Sequence, residues 1–418
     1  MKYTFILKAV LHSMIHRKFS VATSIFAISA AFAFLAAIGC VSFGLAATAV
    51  NSSLAFPLIV GPAGASDTTL VMSTLFNTDK PAGTFDYEVA EKLASDERVS
   101  AVFPIARSDS YMGIPITGVE SAYINEISSG FSEIDENVKA ADIFNENGKK
   151  CAVLGAKTAA RYEMKVGDTF FGSHGSVGDE DAHMHDFEYK VCAVMKAVNG
   201  PEDFAIFTNL RSVWEIHEHG HHHHHEEAEE DEHEHSSEGK ITAVLVKTKN
   251  PVFTSALERE YSENGLTSAT DTGRTVRKLL TYMNKAEKAA GFFSYGTLFL
   301  VLIMVFVTIM TSISERKREM ALMRTLGIGK TPISLMIFLE MLLISIAGIV
   351  VGTIGGHALL AVFKPVIDFE LGIDLEPFFF TSVEFRGMIC TMIAGIVLSI
   401  AAMVKIYKMD LVEEISKG

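Results

Sequence analysis

Apolar residues gather into four long runs set at very unequal intervals. No charged residue occurs from Phe19 to Ser66, and Ser20–Gly44 alone is longer than the roughly 20 residues a helix needs to cross a bilayer core. Near the C-terminus, 26 uncharged residues lie between Lys288 and Glu315, 23 between Glu340 and Lys364, and 18 between Arg386 and Lys405. The pattern predicts an α-helical membrane protein with four transmembrane helices in a one-plus-three arrangement. A cleavable signal peptide has a much shorter apolar core, so the first run predicts a retained anchor.

Between the first and second runs the periodicity is mixed. Phe85–Asp96 has helical spacing, and Val99–Ile105 and Tyr111–Val119 read as strands. A second group follows: strand Cys151–Leu154, helix Ala156–Met164, then strands Thr169–Gly172, Phe187–Val198 and Ile241–Val246. This predicts an α+β domain of two subdomains. A Gly/Ser/Thr-rich turn is expected over Thr267–Gly273, after which Val276, Leu279, Leu280 and Met283 recur at helical spacing into the second span, as a stalk. The resulting division is residues 1–47 (N-terminus and first span), 48–273 (external α+β domain), 274–314 (stalk and second span) and 315–339 (coupling segment). Residues 340–363 form the third span, 364–386 a short external loop, 387–404 the fourth span and 405–418 the tail.

Charge orients this arrangement. The 418 residues carry a formal charge of -14, distributed as +4 over residues 1–47, -17 over 48–289 and -1 over 290–418. Lys2, Lys8, Arg17 and Lys18 precede the first span, and Arg316, Lys317, Arg318, Arg324 and Lys330 fill the loop between the second and third; the loop before the fourth offers only Lys364 and Arg386. Both termini and the 315–339 segment are therefore expected in the cytoplasm and residues 48–289 outside. No segment has the concentrated positive face of a nucleic-acid binder. Gly329-Lys330-Thr331 ends like a phosphate-binding loop, but Arg324 stands where its first glycine is required. No hydrolase motif occurs either, and no enzymatic chemistry is expected of this chain.

Histidine changes the picture of the external block. Nine of 15 histidines (His217, His219, His221, His222, His223, His224, His225, His233 and His235) fall in one tract, interleaved with ten acidic residues from Glu215 to Glu238. Such a segment buries no core and is expected as a disordered loop over 216–239, inserted between two strands. Imidazole with carboxylate suits zinc or another transition metal, while a solvated charged insertion is the plainer reading. A second set is more ordered in pattern: His183 and His185 alternate on one strand face, with His174 and Asp186 on the same hairpin. Of four cysteines, Cys40 and Cys390 lie in spans. Cys151 and Cys192 are candidates for a disulfide, or for two separately buried thiols.

The segment Glu315–Glu340 is charged, then amphipathic, then apolar, which suits a short interfacial helix docking in a partner's groove. Glu340, near the start of the third span, needs a partner, for which Arg316 and Arg324 are the candidates. The run Glu315-Arg316-Lys317-Arg318-Glu319-Met320-Ala321-Leu322-Met323-Arg324-Thr325-Leu326-Gly327, followed by Glu340 and then Gly348, Gly352, Gly355 and Gly356, resembles the signature of FtsX/MacB/LolC-type ABC-transporter permeases. Val153-Leu154-Gly155 and Met164-Lys165-Val166-Gly167-Asp168 are similar to that family's external core.

The resemblance implies a permease subunit in a bacterial inner membrane, with residues 48–289 in the periplasm. It implies a homodimer, or a heterodimer with a similar permease, and a separate ATPase docking through Glu315, Arg316, Arg318, Glu319, Arg324, Gly327 and Glu340. ATP would be used only by that partner, and its closure would move the stalk and external domain. Members of the MacB type often carry their ATPase fused at the N-terminus; this sequence starts at the first span. The His/Glu insertion is not part of the family pattern and points toward zinc handling, with a periplasmic metal-binding or cargo protein as a further partner. Lipoprotein release, export of a hydrophobic compound or peptide, and a non-transporting scaffold that activates an external hydrolase are the competing readings.

Overall fold

The computed structural model describes residues 3–78, 80–144, 150–173, 184–219, 239–315, 323 and 326–408. Its helices are α1 (Tyr3–His16), α2 (Lys18–Ala55), α3 (Asp67–Thr74), α4 (Glu88–Ala94), α5 (Ser121–Ile127), α6 (Ala156–Tyr162), α7 (Leu210–His219), α8 (Pro251–Glu263), α9 (Thr272–Glu315), α10 (Lys330–Leu371) and α11 (Ser382–Lys408). The strands are β1 (Leu58–Pro62), β2 (Phe85–Asp86), β3 (Val99–Tyr111), β4 (Ile114–Val119), β5 (Phe131–Ile134), β6 (Cys151–Leu154), β7 (Thr169–Ser173), β8 (Met184–Met195), β9 (Ile206–Asn209), β10 (Lys240–Ile241), β11 (Ala243–Thr248) and β12 (Thr267–Asp271). The chain divides into two compact units. The first comprises Met1–Gly44, Tyr282–Pro365 and Leu375–Gly418, and the second Leu45–Thr281 and Val366–Asp374.

Among the described residues, four helices are long and apolar enough to cross a membrane, over Lys18–Val50, Thr272–Met304, Lys330–Phe369 and Ser382–Val404. α9, α10 and α11 each extend beyond the uncharged run they contain, because hydropathy marks what lipid can cover while the backbone hydrogen bonds continue past it. Within the first unit the helices pack through Val21, Ile28, Phe32, Leu35, Leu298, Ile337, Met341 and Ile344. Gly348, Gly352 and Gly356 on α10 form a stripe against α2. A methyl group on Gly352 would meet the Ser29 backbone and the Phe32 side chain at 2.7 Å, whereas one on Gly355 would meet nothing within 4 Å. Close approach of this kind replaces the hydrophobic drive that lipid does not supply between helices.

The second unit is built on one sheet, in the order β12-β1-β11-β3-β4-β9-β6-β8-β5, with β7 beside β3 and β8. Alternation divides its residues between faces. Ile59, Phe103, Leu245, Val153 and Phe207 share one core, while Leu58, Val60, Val244 and Val246 belong to a second and Ile116, Ala152, Leu154 and Ile206 to a third. Covering on both faces accounts for strands such as Cys-Ala-Val-Leu (151–154), which are apolar throughout. The two subdomains expected from sequence are not separate: Leu45–Thr281 belongs to one compact unit, with two cores on one face of the sheet and a single core on the other.

Several elements differ from the expectation. Thr267–Gly273 is not a turn, since Thr267–Asp271 forms β12, paired antiparallel to β1 from Leu58↔Asp271 to Pro62↔Thr267. The buried Thr267 and Thr270 supply β-branched surface, and the partner β1 sits 200 residues away, beyond the reach of a local pattern. The runs Val99–Ile105 and Tyr111–Val119 become a hairpin of β3 and β4 that turns at Met112 and Gly113, with φ of 50° and 84°. The His/Glu tract begins inside α7, so it lies between a helix and β10 and not between two strands.

Candidate functional site

α9 starts in the sheet domain. Val276 is buried and Leu279 and Leu280 pack on the core shared by the sheet's undivided face. Thr272 N and Oγ1 donate to Pro57 O at 3.1 Å and Phe56 O at 2.5 Å, which ties the first turn of α9 to the chain leaving α2. These bonds satisfy amide and hydroxyl groups that a helix start leaves without intrahelical partners.

A second anchoring cluster was not anticipated from sequence. The segment Val366–Asp374 groups with the sheet domain, and Lys157 at the start of α6 holds it. Lys157 Nζ donates to Asp368 Oδ2 at 3.2 Å, to Asp374 Oδ1 at 3.0 Å and to Ile373 O at 3.4 Å, while lying 4.9 Å from the Phe204 ring. One turn on, the Arg161 guanidinium stacks 3.7 Å from the Phe369 ring, whose edge also meets Tyr162 and Phe204. Three donors of one ammonium are used against two carboxylates and a carbonyl, with cation–π contacts beneath. Next to it, burial and then the neighbouring Asp203 push the Glu202 carboxyl up to about 7. Asp203 is fully buried and shifted upward by the same cause, offset by hydrogen bonds from the Val198 and Asn199 amides at 2.9 Å. The signal available in sequence was weak: Asp368 and Asp374 read as ordinary loop charges.

Cys151 and Cys192 form a disulfide between neighbouring strands β6 and β8, with Cα atoms 5.5 Å apart. Cys40 and Cys390 are free.

In the helical unit, Arg17 Nη1 donates to Glu340 Oε1 at 2.9 Å, and the Glu340 side chain is 5% exposed. Arg17, counted in the sequence only as a topogenic charge, is thus a described partner of Glu340; Arg316 and Arg324 lie outside the described residues. So do Arg318 and Glu319. Glu315 closes α9, and Gly327 turns the chain at φ 87° before α10. A second buried set, also missed, joins His357 on α10 to Glu384 on α11 at 2.9 Å. Its signal was present, because an ionisable residue inside an apolar span marks a site by default.

Of the residues expected to take metal, His185 and Asp186 lie on β8 and His217 and His219 in the last turn of α7. His174, His183, His221, His222, His223, His224, His225, His233 and His235 lie outside the described residues. Among the described residues, no group of three or more His, Cys, Asp or Glu side chains is arranged to hold a metal ion.

Residues 291–409 match the family described as FtsX-like permease C-terminal. No curated protein matches the chain. Among solved structures, it is similar to the periplasmic region of MacB from Actinobacillus actinomycetemcomitans, at 9% identity over 55% of this chain and 97% of that one, with a TM-score of 0.34. It is also similar to the extracellular domain of the noncanonic ABC-type transporter YknZ from Gram-positive bacteria, at 13% identity over 51% and 99% of the two chains, with a TM-score of 0.31.

Proposed function

We propose that this chain, an FtsX-like permease by its residues 291–409, is the membrane subunit of an ABC transporter and relays ATP-driven motion to its external domain. The observation that carries this reading is α9. It is one helix of 44 residues, roughly 66 Å at 1.5 Å per residue, that starts among buried core residues and continues as an apolar span. An unbroken helix carries displacement along its axis because shortening it breaks backbone hydrogen bonds. α10 continues past Pro365 into the segment held by Lys157 and supplies a second route. In this reading residues 315–339 and Glu340 receive a separate ATPase at the cytoplasmic face of a bacterial inner membrane. Residues 48–289 lie in the periplasm, and two permeases, identical or related, work together.

The cargo is a transition metal, zinc foremost, or a metal-loaded carrier. The His/Glu tract supports this: its many neutral imidazoles beside carboxylates collect borderline metals without a fixed geometry. Two experiments separate the parts. Met283→Pro interrupts α9 where it leaves the sheet domain, at a cost of about 3 kcal/mol in a helix interior; it should leave ATPase binding intact and abolish ATP-driven transport, and transport at the wild-type rate would refute the relay. Calorimetric titration of zinc into the full-length chain should reveal a stoichiometric site that survives deletion of residues 220–238 and is lost with His183→Ala and His185→Ala. Weak multi-site binding that disappears with the tract would instead move the cargo to a lipid or peptide.

A further inference from the structure

His357 and Glu384 occupy the apolar interior of the helical unit, 7% and 1% exposed. The His357 Nδ1 lies 2.5 Å from Pro377 O, an acceptor only, so Nδ1 carries a hydrogen. Its Nε2 lies 2.9 Å from Glu384 Oε2. The other carboxylate oxygen is already engaged, accepting from Thr381 N at 3.1 Å and Thr381 Oγ1 at 2.6 Å. Only the Nε2–Oε2 contact is left undecided, and it closes with one proton between the two atoms. The proton sits on nitrogen, giving imidazolium and carboxylate, or on oxygen, giving imidazole and carboxylic acid; both forms have zero net charge. Without it, two lone pairs face each other at 2.9 Å and one uncompensated negative charge is buried, which is far more costly.

Among the described residues, the surroundings supply no other cation to this pair. Cys40 on α2 donates to Phe379 O at 3.4 Å, Tyr295 on α9 donates to Val383 O at 3.1 Å, and Arg386 on α11 is exposed and donates to Ser382 O. Lys364 on α10 donates to Leu375 O. Among the described residues none of these bonds the Glu384 carboxylate. We propose that His357 and Glu384 form a binding site for a single proton, and that its occupancy fastens the segment Pro377–Glu384 onto α10. The site is separate from the ATPase relay and stands whether or not that reading holds.

The linkage has a definite sign. The fastened arrangement holds one proton more than an opened, solvated one, so closure weakens as pH rises; the dependence levels off in acid, once a solvated imidazole is also protonated. Glu384→Gln provides a proton that does not titrate. Its amide nitrogen donates to His357 Nε2, and its amide oxygen still accepts from Thr381.

The test is hydrogen exchange of the full-length protein in lipid nanodiscs, followed across residues 375–385 over a pH series spanning the range of imidazole titration and corrected for intrinsic exchange. Wild-type protection should fall about tenfold per pH unit above that range, while Glu384→Gln should stay protected and flat. A flat wild-type profile overturns the proposal, as does a Glu384→Gln profile as steep as wild type. If the amide variant does not fold, nitrogen-15 spectra of histidine-labelled wild type decide the same point. A shared or imidazolium proton at His357 supports the site, and a bare imidazole facing an ionised carboxylate overturns it.

Discussion

The two units hold themselves together by different physics. In the sheet domain, apolar side chains on both faces of a mixed sheet are withdrawn from water, and a disulfide closes β6 onto β8. In the helical unit, where lipid is as apolar as the side chains, cohesion comes from shape and from a few polar pairs: the Gly348/Gly352/Gly356 stripe, Arg17 with Glu340, and His357 with Glu384. The difference teaches where each unit is vulnerable. The sheet domain should fail through loss of burial or its cross-link, and the helical unit through added volume or an orphaned charge.

The largest expected effect belongs to the disulfide. Cys151 and Cys192 are 41 residues apart, and loop-closure entropy for such a span gives about 4 kcal/mol. Cys151→Ser with Cys192→Ser should therefore markedly lower the thermal midpoint of the sheet domain in the full-length protein, with little change in the helical unit. The helical counterpart is Gly352→Leu, which forces volume against Ser29 and Phe32 and should cost about 1–3 kcal/mol or more. Gly355→Leu is its control, because a side chain there enters open space. Equal detergent-stability losses for the two variants would break the account of the stripe.

A smaller effect is expected at the clamp. Lys157→Met removes three donors from the buried Asp368 carboxylate and Ile373 carbonyl and the half-buried Asp374 at a cost of about 1–3 kcal/mol, and should raise hydrogen exchange over residues 366–374 without altering the sheet core. The smallest concerns pH. Because the fold lifts the Glu202 carboxyl to about 7 from an ordinary 4.5, the folded state holds that proton more tightly than the unfolded chain. Its favourable contribution is full below the ordinary 4.5 and is lost as pH rises to about 7. Relative to Glu202→Gln, the wild-type thermal midpoint should drop between roughly pH 4.5 and pH 7, and parallel profiles would remove Glu202 from the picture.

Much of this was legible along the chain because it is local. Four apolar runs gave four helices, and Val276, Leu279 and Leu280 at helical spacing gave the stalk. Short β-type runs found strands near β4, β6 and β11. What escaped depends on partners far apart in sequence: β12 needs β1, Glu340 meets Arg17 across 323 residues, and Lys157 meets Asp368 and Asp374 more than 200 residues away. His357 escaped for another reason. Counted as neutral, it left the third apolar run looking featureless, when a lone imidazole in such a run was itself the clue.

In the proposed relay, force would reach the sheet domain through α9 and the Lys157 clamp. The most direct measurement is hydrogen exchange of the full-length chain assembled with the ATPase proposed as its partner, with and without ATP. The account predicts changed protection over residues 315–339 accompanied by changes in the first turns of α9, in α6 and over residues 366–374. A change confined to residues 315–339, with α6 and 366–374 untouched, would contradict it.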